Sequence, residues 1–247
     1  MAQLDNRYAQ PQYPARAGVA VDEGLRAYML GVYNYMAAGV ALTGITAYLT
    51  SMMAVSNGAL TPFGEAIYMS PLKWVVMLAP LGFVLYMSFR AQTMTVGAAQ
   101  IAFWLFAAVM GVSLSSIFLV FTGQSITQIF FITAATFGAL SLWGYTTKRD
   151  ISAWGSFLFM GLVGIIIASL VNLFLQSSAL MFAISVIGVL VFVGLTAYDT
   201  QKIKEWYVAS DDGATMGKKA IFGALNLYLD FINLFLMLLR LFGSSRS

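Results

Sequence analysis

A chain of 247 residues, 60% hydrophobic and only 9% charged, with a mean hydropathy of +0.82, is too apolar for a water-soluble domain, in which roughly a quarter of residues are charged. It contains no cysteine and no histidine, which excludes disulfides, thiolate or imidazole metal sites, thiol nucleophiles and Ser-His-Asp hydrolysis. The net charge of +3 comes from basic residues spread thinly between apolar spans, so the expected partner is the lipid bilayer and not nucleic acid.

Residues 1–23 mix Gln, Pro, Tyr, Ala and both signs of charge and lack the apolar core of about seven or more residues that a secretory signal needs. They read as a disordered tail, with a docking peptide as the sharper alternative. From residue 24 to 247 the expected fold is all-α, a single polytopic domain. Seven apolar spans, 25–51, 72–90, 96–121, 125–146, 152–175, 178–200 and 219–242, each approach or exceed the ~20 residues that cross a ~30 Å hydrocarbon core. A Ser, Asn, Gly and Pro-bearing loop separates the first two, and a charged loop the last two; the other connections are short, which predicts a compact bundle.

Basic residues set the orientation. Arg7, Arg16, Arg26, Arg90, Lys148, Arg149, Lys202, Lys204, Lys218 and Lys219 fall on one side of the spans, and Lys73, Arg240 and Arg246 on the other. The richer side is expected to be cytoplasmic. An inner (plasma) membrane protein with its amino terminus inside and, after seven crossings, its carboxyl terminus outside is therefore predicted. The five tryptophans lie mostly toward span ends, as interfacial anchors do.

The seventh span carries Asp230 near its middle. A carboxylate at that depth costs about 2.5 to 3.5 kcal/mol on insertion scales unless it faces a protein interior, a partner or a proton. Asn226, Asp230, Asn233 and Met237 recur at i, i+4, i+7 and i+11 and share a helix face, opposite Tyr228, Ile232, Phe235 and Leu239. That polar face should look into the bundle. On the sixth span Ser185, Gly188, Phe192, Thr196 and Asp199 form a stripe of mostly small or polar residues against which another helix can pack.

An antiparallel sixth and seventh helix would bring Asp199 and Asp230 together. Two carboxylates about 4 Å apart repel by roughly 4 kcal/mol at an effective dielectric near 20. Such a pair holds one shared proton near neutral pH and titrates as a unit, a latch that closes when the proton is shared and opens when it leaves. The plainer reading is two separate aspartates, each hydrogen-bonded for packing, with Asp199 snorkelling near Lys202. Arg90, ending the second span on the side of Asp199, is either a partner of that carboxylate or a positive-inside anchor. Arg240 reads as a snorkelling terminal residue.

Three segments, GYTTKRDISAWGSFLF (144–159), LTAYDTQKIK (195–204) and LYLDFINLFLMLLRLFG (227–243), resemble the Bax inhibitor-1 family, also called TMBIM or lifeguard proteins, in a bacterial form. The resemblance covers the chain from about residue 25. It implies a seven-helix bundle whose last helix is wrapped by the other six, and a pH-sensitive calcium leak gated by an aspartate dyad corresponding to Asp199 and Asp230. It also implies a gating arginine, corresponding to Arg90. Some bacterial members carry a glutamate in the second span; here that place falls near Ala79, in an apolar run.

The favoured reading is thus a proton-gated cation leak, not an enzyme, with no cofactor and with calcium as the permeant ion. The dyad is Asp199 and Asp230, supported by the polar Thr196, Asn226 and Asn233; two buried acids offer too few oxygens for a strong calcium cage of six to eight ligands, but weak, transient coordination of calcium by the pair suits conduction. One alternative is a regulator that binds other membrane proteins, for example a membrane quality-control protease. An intramembrane aspartyl protease is a third reading, weakened because the second acid lies in LYLD where a GxGD pattern is expected and because no PAL sequence occurs.

Overall fold

The computed structural model describes residues 14–246, with side chains from residue 23 onward. Seven helices are long and apolar enough to cross a membrane. In chain order the elements are α1 (Pro14–Ala54), a two-stranded hairpin β1 (Val55–Ser56) and β2 (Ala59–Leu60), α2 (Pro62–Tyr68), α3 (Leu72–Arg90), α4 (Val96–Leu114), α5 (Ile117–Val120), α6 (Gly123–Thr146), α7 (Trp154–Leu175), α8 (Ser178–Glu205) and α9 (Gly213–Phe242). The third span is α4 and α5 in succession, Val96–Val120. The chain is a multi-pass membrane protein.

Local sequence explains where the helices start. Thr61, Thr95, Thr122, Ser177 and Asp212 each sit in extended backbone and accept a hydrogen bond from an N–H in the first turn of α2, α4, α6, α8 and α9, satisfying a donor that has no partner within the helix. Several elements exceed the sequence reading: the stretch read as a loop between the first two spans also holds α2, and α8 and α9 extend into the charged stretch between the last two. Helix α1 reaches back to Pro14, into the stretch read as a tail, where alanines and a proline suited to the first helical turn favour it; residues 1–13 of that tail lie outside the described residues. The loop after α1 folds into a hairpin because Asn57 (φ 53°) and Gly58 (φ 79°) adopt the two left-handed conformations that a two-residue turn requires.

Helix α9 is the axis. In its most apolar stretch 72% of residues are buried, against 11–39% in the other six. It packs on α1, α4, α6 and α8, while α3 lies outside on α4 and α7 outside on α8. So four helices, not six, wrap it closely. The outer helices are the more lipid-facing, with 11% of the most apolar stretch buried in α3 and 17% in α7, while the enclosed α9 carries Asn226, Asp230 and Asn233. Lipid demands apolar side chains on every face it touches, and a protein-lined position does not.

The polar stripe expected to face the bundle is buried only in part, at Asp230 and Met237 but not at Asn226 and Asn233, whereas the opposite face of α9 (Tyr228, Ile232, Phe235 and Leu239) is buried throughout. Tyr228 is inaccessible, with Phe103 and Phe106 of α4 edge-on at 6.1 and 5.3 Å. The Thr43 hydroxyl donates to Ala107 O at 2.8 Å, which leaves it as the acceptor for the Tyr228 O–H at 2.7 Å. This chain ties α9, α1 and α4 together and sets a ranking. Tyr228→Phe removes a donor and is expected to cost about 0.5 to 1.5 kcal/mol, whereas Thr43→Val strands the buried phenol and is expected to cost about 1 to 3 kcal/mol. Thermal unfolding in detergent checks the order.

Candidate functional site

Helices α8 and α9 run antiparallel through a turn at 206–212. Their register is fixed by close contacts: Gly188 lies against the Met237 side chain, and Gly223 against Ile203. Between these two contacts Asp199 comes level with the Asn226–Asp230 turn. The Asp199 and Asp230 carboxyls lie within hydrogen-bonding reach of each other. Asp230 is 4% exposed, and its Oδ2 is buried without a hydrogen-bond partner. Asp199 is half-buried, and the cation acting on it is Lys202, three residues further along α8.

The supporting residues divide. Thr196 is inaccessible and donates to Phe192 O at 2.7 Å, so its hydroxyl is spent within α8. Asn233 donates to Leu229 O at 2.8 Å. Asn226 and Asn233 are half-buried and recur with Phe222, Leu229 and Leu236 as the least covered stripe of α9. That stripe adjoins Asp230 at helical spacing, so the buried carboxyl has polar neighbours on its more open side.

Arg90 closes α3, exposed, one turn beyond Met87, which is fully buried. It forms no ion pair with Asp199 here: the salt bridge found among the described residues joins Lys219 to Asp211. The structure brings Asp199 and Asp230 together and leaves Arg90 apart. Ala79 stands in α3 with no acid in that helix, so no acidic relay extends along it. Among the described residues no group of three or more acidic side chains gathers to hold a metal; the carboxyl pair is the whole anionic site.

Further side chains fix the α8 end beside the pair. Gln201, two residues past Asp199, accepts from Ile151 N at 3.0 Å and donates to Arg149 O at 2.8 Å, tying the α6–α7 connection to α8. Lys219 donates to Trp206 O at 2.8 Å and also to Asp211. The sequence signal for Gln201 was only an amide on a helix otherwise dominated by apolar residues. Outside the spans, Asp150 and Asp212 are held below the usual carboxylate range, by hydrogen bonds from Ser152 and Thr215 respectively. Both stay ionised across the physiological range and contribute a fixed charge.

The sequence profile of a family described as inhibitor of apoptosis-promoting Bax1 matches residues 25–247. A Rickettsia prowazekii (strain Madrid E) protein is 49% identical over 225 residues, covering 91% of this chain and 92% of its own length. The inner membrane protein YbhL of Escherichia coli (strain K12) is 48% identical over 225 residues, 90% of this chain and 94% of that protein. A Caulobacter vibrioides protein is 45% identical over 249 residues and matches end to end. With the profile spanning the whole membrane domain and relatives aligned over nearly their full lengths, the chain belongs to the Bax inhibitor-1 family.

Proposed function

We propose that this protein is a pH-sensitive, calcium-permeable leak of the inner (plasma) membrane, gated by the Asp199–Asp230 pair. The observation that carries the reading is the approach of two carboxyls at the α8–α9 contact, one of them buried with an oxygen that has no hydrogen-bond partner. Two such groups are compatible with burial when a proton bridges them or a cation lies between them. With the proton in place α8 and α9 are held together; without it, repulsion favours separation or entry of a cation. The half-buried stripe bearing Asn226 and Asn233 supplies polar groups along which a hydrated ion can pass.

The distribution of basic residues supports an amino terminus in the cytoplasm and a carboxyl terminus outside. Lys202, Lys204 and Lys219 then mark the cytoplasmic end of the path. Proteoliposomes loaded with a calcium indicator test the proposal. Calcium entry is expected to exceed that of protein-free liposomes and to rise between about pH 6 and about pH 8, as the shared proton leaves. Entry equal to that of protein-free liposomes throughout would refute it. Co-purification of another membrane protein that survives neutralising both aspartates would favour the regulator reading instead.

A further inference from the structure

Helices α1 and α6 both pack on α9 but not closely on each other. Between them lies a cavity of about 470 Å³, lined by apolar side chains and ring faces including Tyr33, Val40, Phe130, Gly138, Tyr145 and Phe231. The Thr200 hydroxyl donates to Thr196 O, so the Ser141 hydroxyl on the cavity wall spends its own proton on Thr200, at 2.9 Å, and offers a ligand no donor. Along α6 the lining runs from Phe130 to Tyr145 and along α1 from Tyr33 to Ala41, a length of roughly 12 to 22 Å at 1.5 Å per residue. One leaflet of a ~30 Å hydrocarbon core is about 15 Å deep.

The mouth at Tyr145 is basic. Lys204 Nζ donates to Tyr145 O at 2.8 Å and lies 5.1 Å from the centre of its ring. An ammonium carries three donors, of which that carbonyl takes one. Lys148 and Arg149 follow α6 directly, and Arg26 stands two turns before Tyr33 on α1, all three exposed. A slot about one leaflet deep, apolar along its length, with Lys204 at its mouth and further cations on the adjoining stretches of α1 and the α6–α7 connection, matches the two halves of an anionic phospholipid.

We infer that the α1–α6 seam is a binding site for one anionic phospholipid of the leaflet on the basic side. An acyl chain fills the cavity against Phe130 and Phe231, and the phosphate sits at Lys204 with Arg149 and Arg26 near. The chain supplies the packing between α1 and α6 that the protein omits, and it rests on Phe231, the residue after Asp230. Neither the leak nor its gating is needed for this inference.

Native mass spectrometry of the full chain from mild detergent tests it, with phosphatidylglycerol and phosphatidylcholine of identical acyl chains as probes. One phosphatidylglycerol is expected to be retained, about fivefold more tightly than phosphatidylcholine. Lys204→Gln is expected to erase most of that preference, since one cation near an anionic headgroup accounts for a factor of that size. A Cβ added at Gly138 meets nothing within 4 Å and Gly138 lines the cavity, so Gly138→Leu projects into the slot and is expected to reduce retention of both lipids; Ala134→Leu reaches the same cavity should the first variant not fold. Equal retention of the two lipids, or retention unchanged when the slot is filled, would overturn the inference and leave only annular lipid.

Discussion

Gly144→Leu is expected to give no folded protein, and Gly144→Ala to lose about 1 to 3 kcal/mol of stability. A Cβ at this position would lie 2.4 Å from Ala197 O and 3.1 Å from the Ala197 Cα and carbonyl carbon. Those are backbone atoms inside α8, so no side-chain rotation relieves the overlap; α6 and α8 must separate. Ala197 is two residues before Asp199, so the displacement reaches the carboxyl pair as well. Gly138→Ala, on the same helix but facing open space, provides the contrast. It is expected to be neutral or mildly stabilising, since alanine favours a helix over glycine by up to about 1 kcal/mol. Unfolding curves for the two alanine variants separate these outcomes, and coincident curves would show that the close α6–α8 approach does not constrain the fold.

The second large effect is expected on flux. Asp230→Asn keeps the size of the side chain and a hydrogen bond to Asp199 but removes one of the two charges. Losing the proton then no longer sets two anions against each other, and the roughly 4 kcal/mol of repulsion available at about 4 Å and an effective dielectric near 20 disappears. If only about 1.4 kcal/mol of that drives opening, the open population changes tenfold. Calcium entry at about pH 8 is therefore expected to fall at least tenfold, with its pH dependence flattened. Asp199→Asn should act in the same direction and to a similar extent, because the repulsion belongs to the pair and neutralising either member abolishes it. Unchanged flux in Asp230→Asn would separate conduction from the pair.

Much of this arrangement was legible in the sequence, for identifiable reasons. An aspartate inside an apolar span is too costly to face lipid, which made Asp230 an interior residue, and the small-residue stripe leading to Asp199 marked the helix that would cover it. Spans were legible because crossing lipid requires length and continuous apolar character. What escaped were features that periodicity does not encode. A hydrophobic face toward lipid and one toward protein look alike, so the burial of Tyr228, Ile232, Phe235 and Leu239 beside the polar stripe became evident only once α9 was seen to be enclosed. For the same reason the α1–α6 cavity left no trace in the pattern. An arginine at a span end satisfies anchoring and pairing equally well, and Arg90 takes the exposed position. The Asn57-Gly58 hairpin did carry a signal, since these residue types tolerate the left-handed backbone that both adopt.

Whether one proton resides between Asp199 and Asp230 is measured most directly by the infrared carbonyl stretch of protonated carboxyls in lipid-reconstituted protein, titrated between about pH 6 and about pH 8. The expected result is a single carboxyl proton per chain at the acid end that is lost as the pH rises, with its band absent from the Asp199→Asn/Asp230→Asn double variant. A spectrum without that band at any pH in the range, or the same band in the double variant, would contradict a shared proton as the gate.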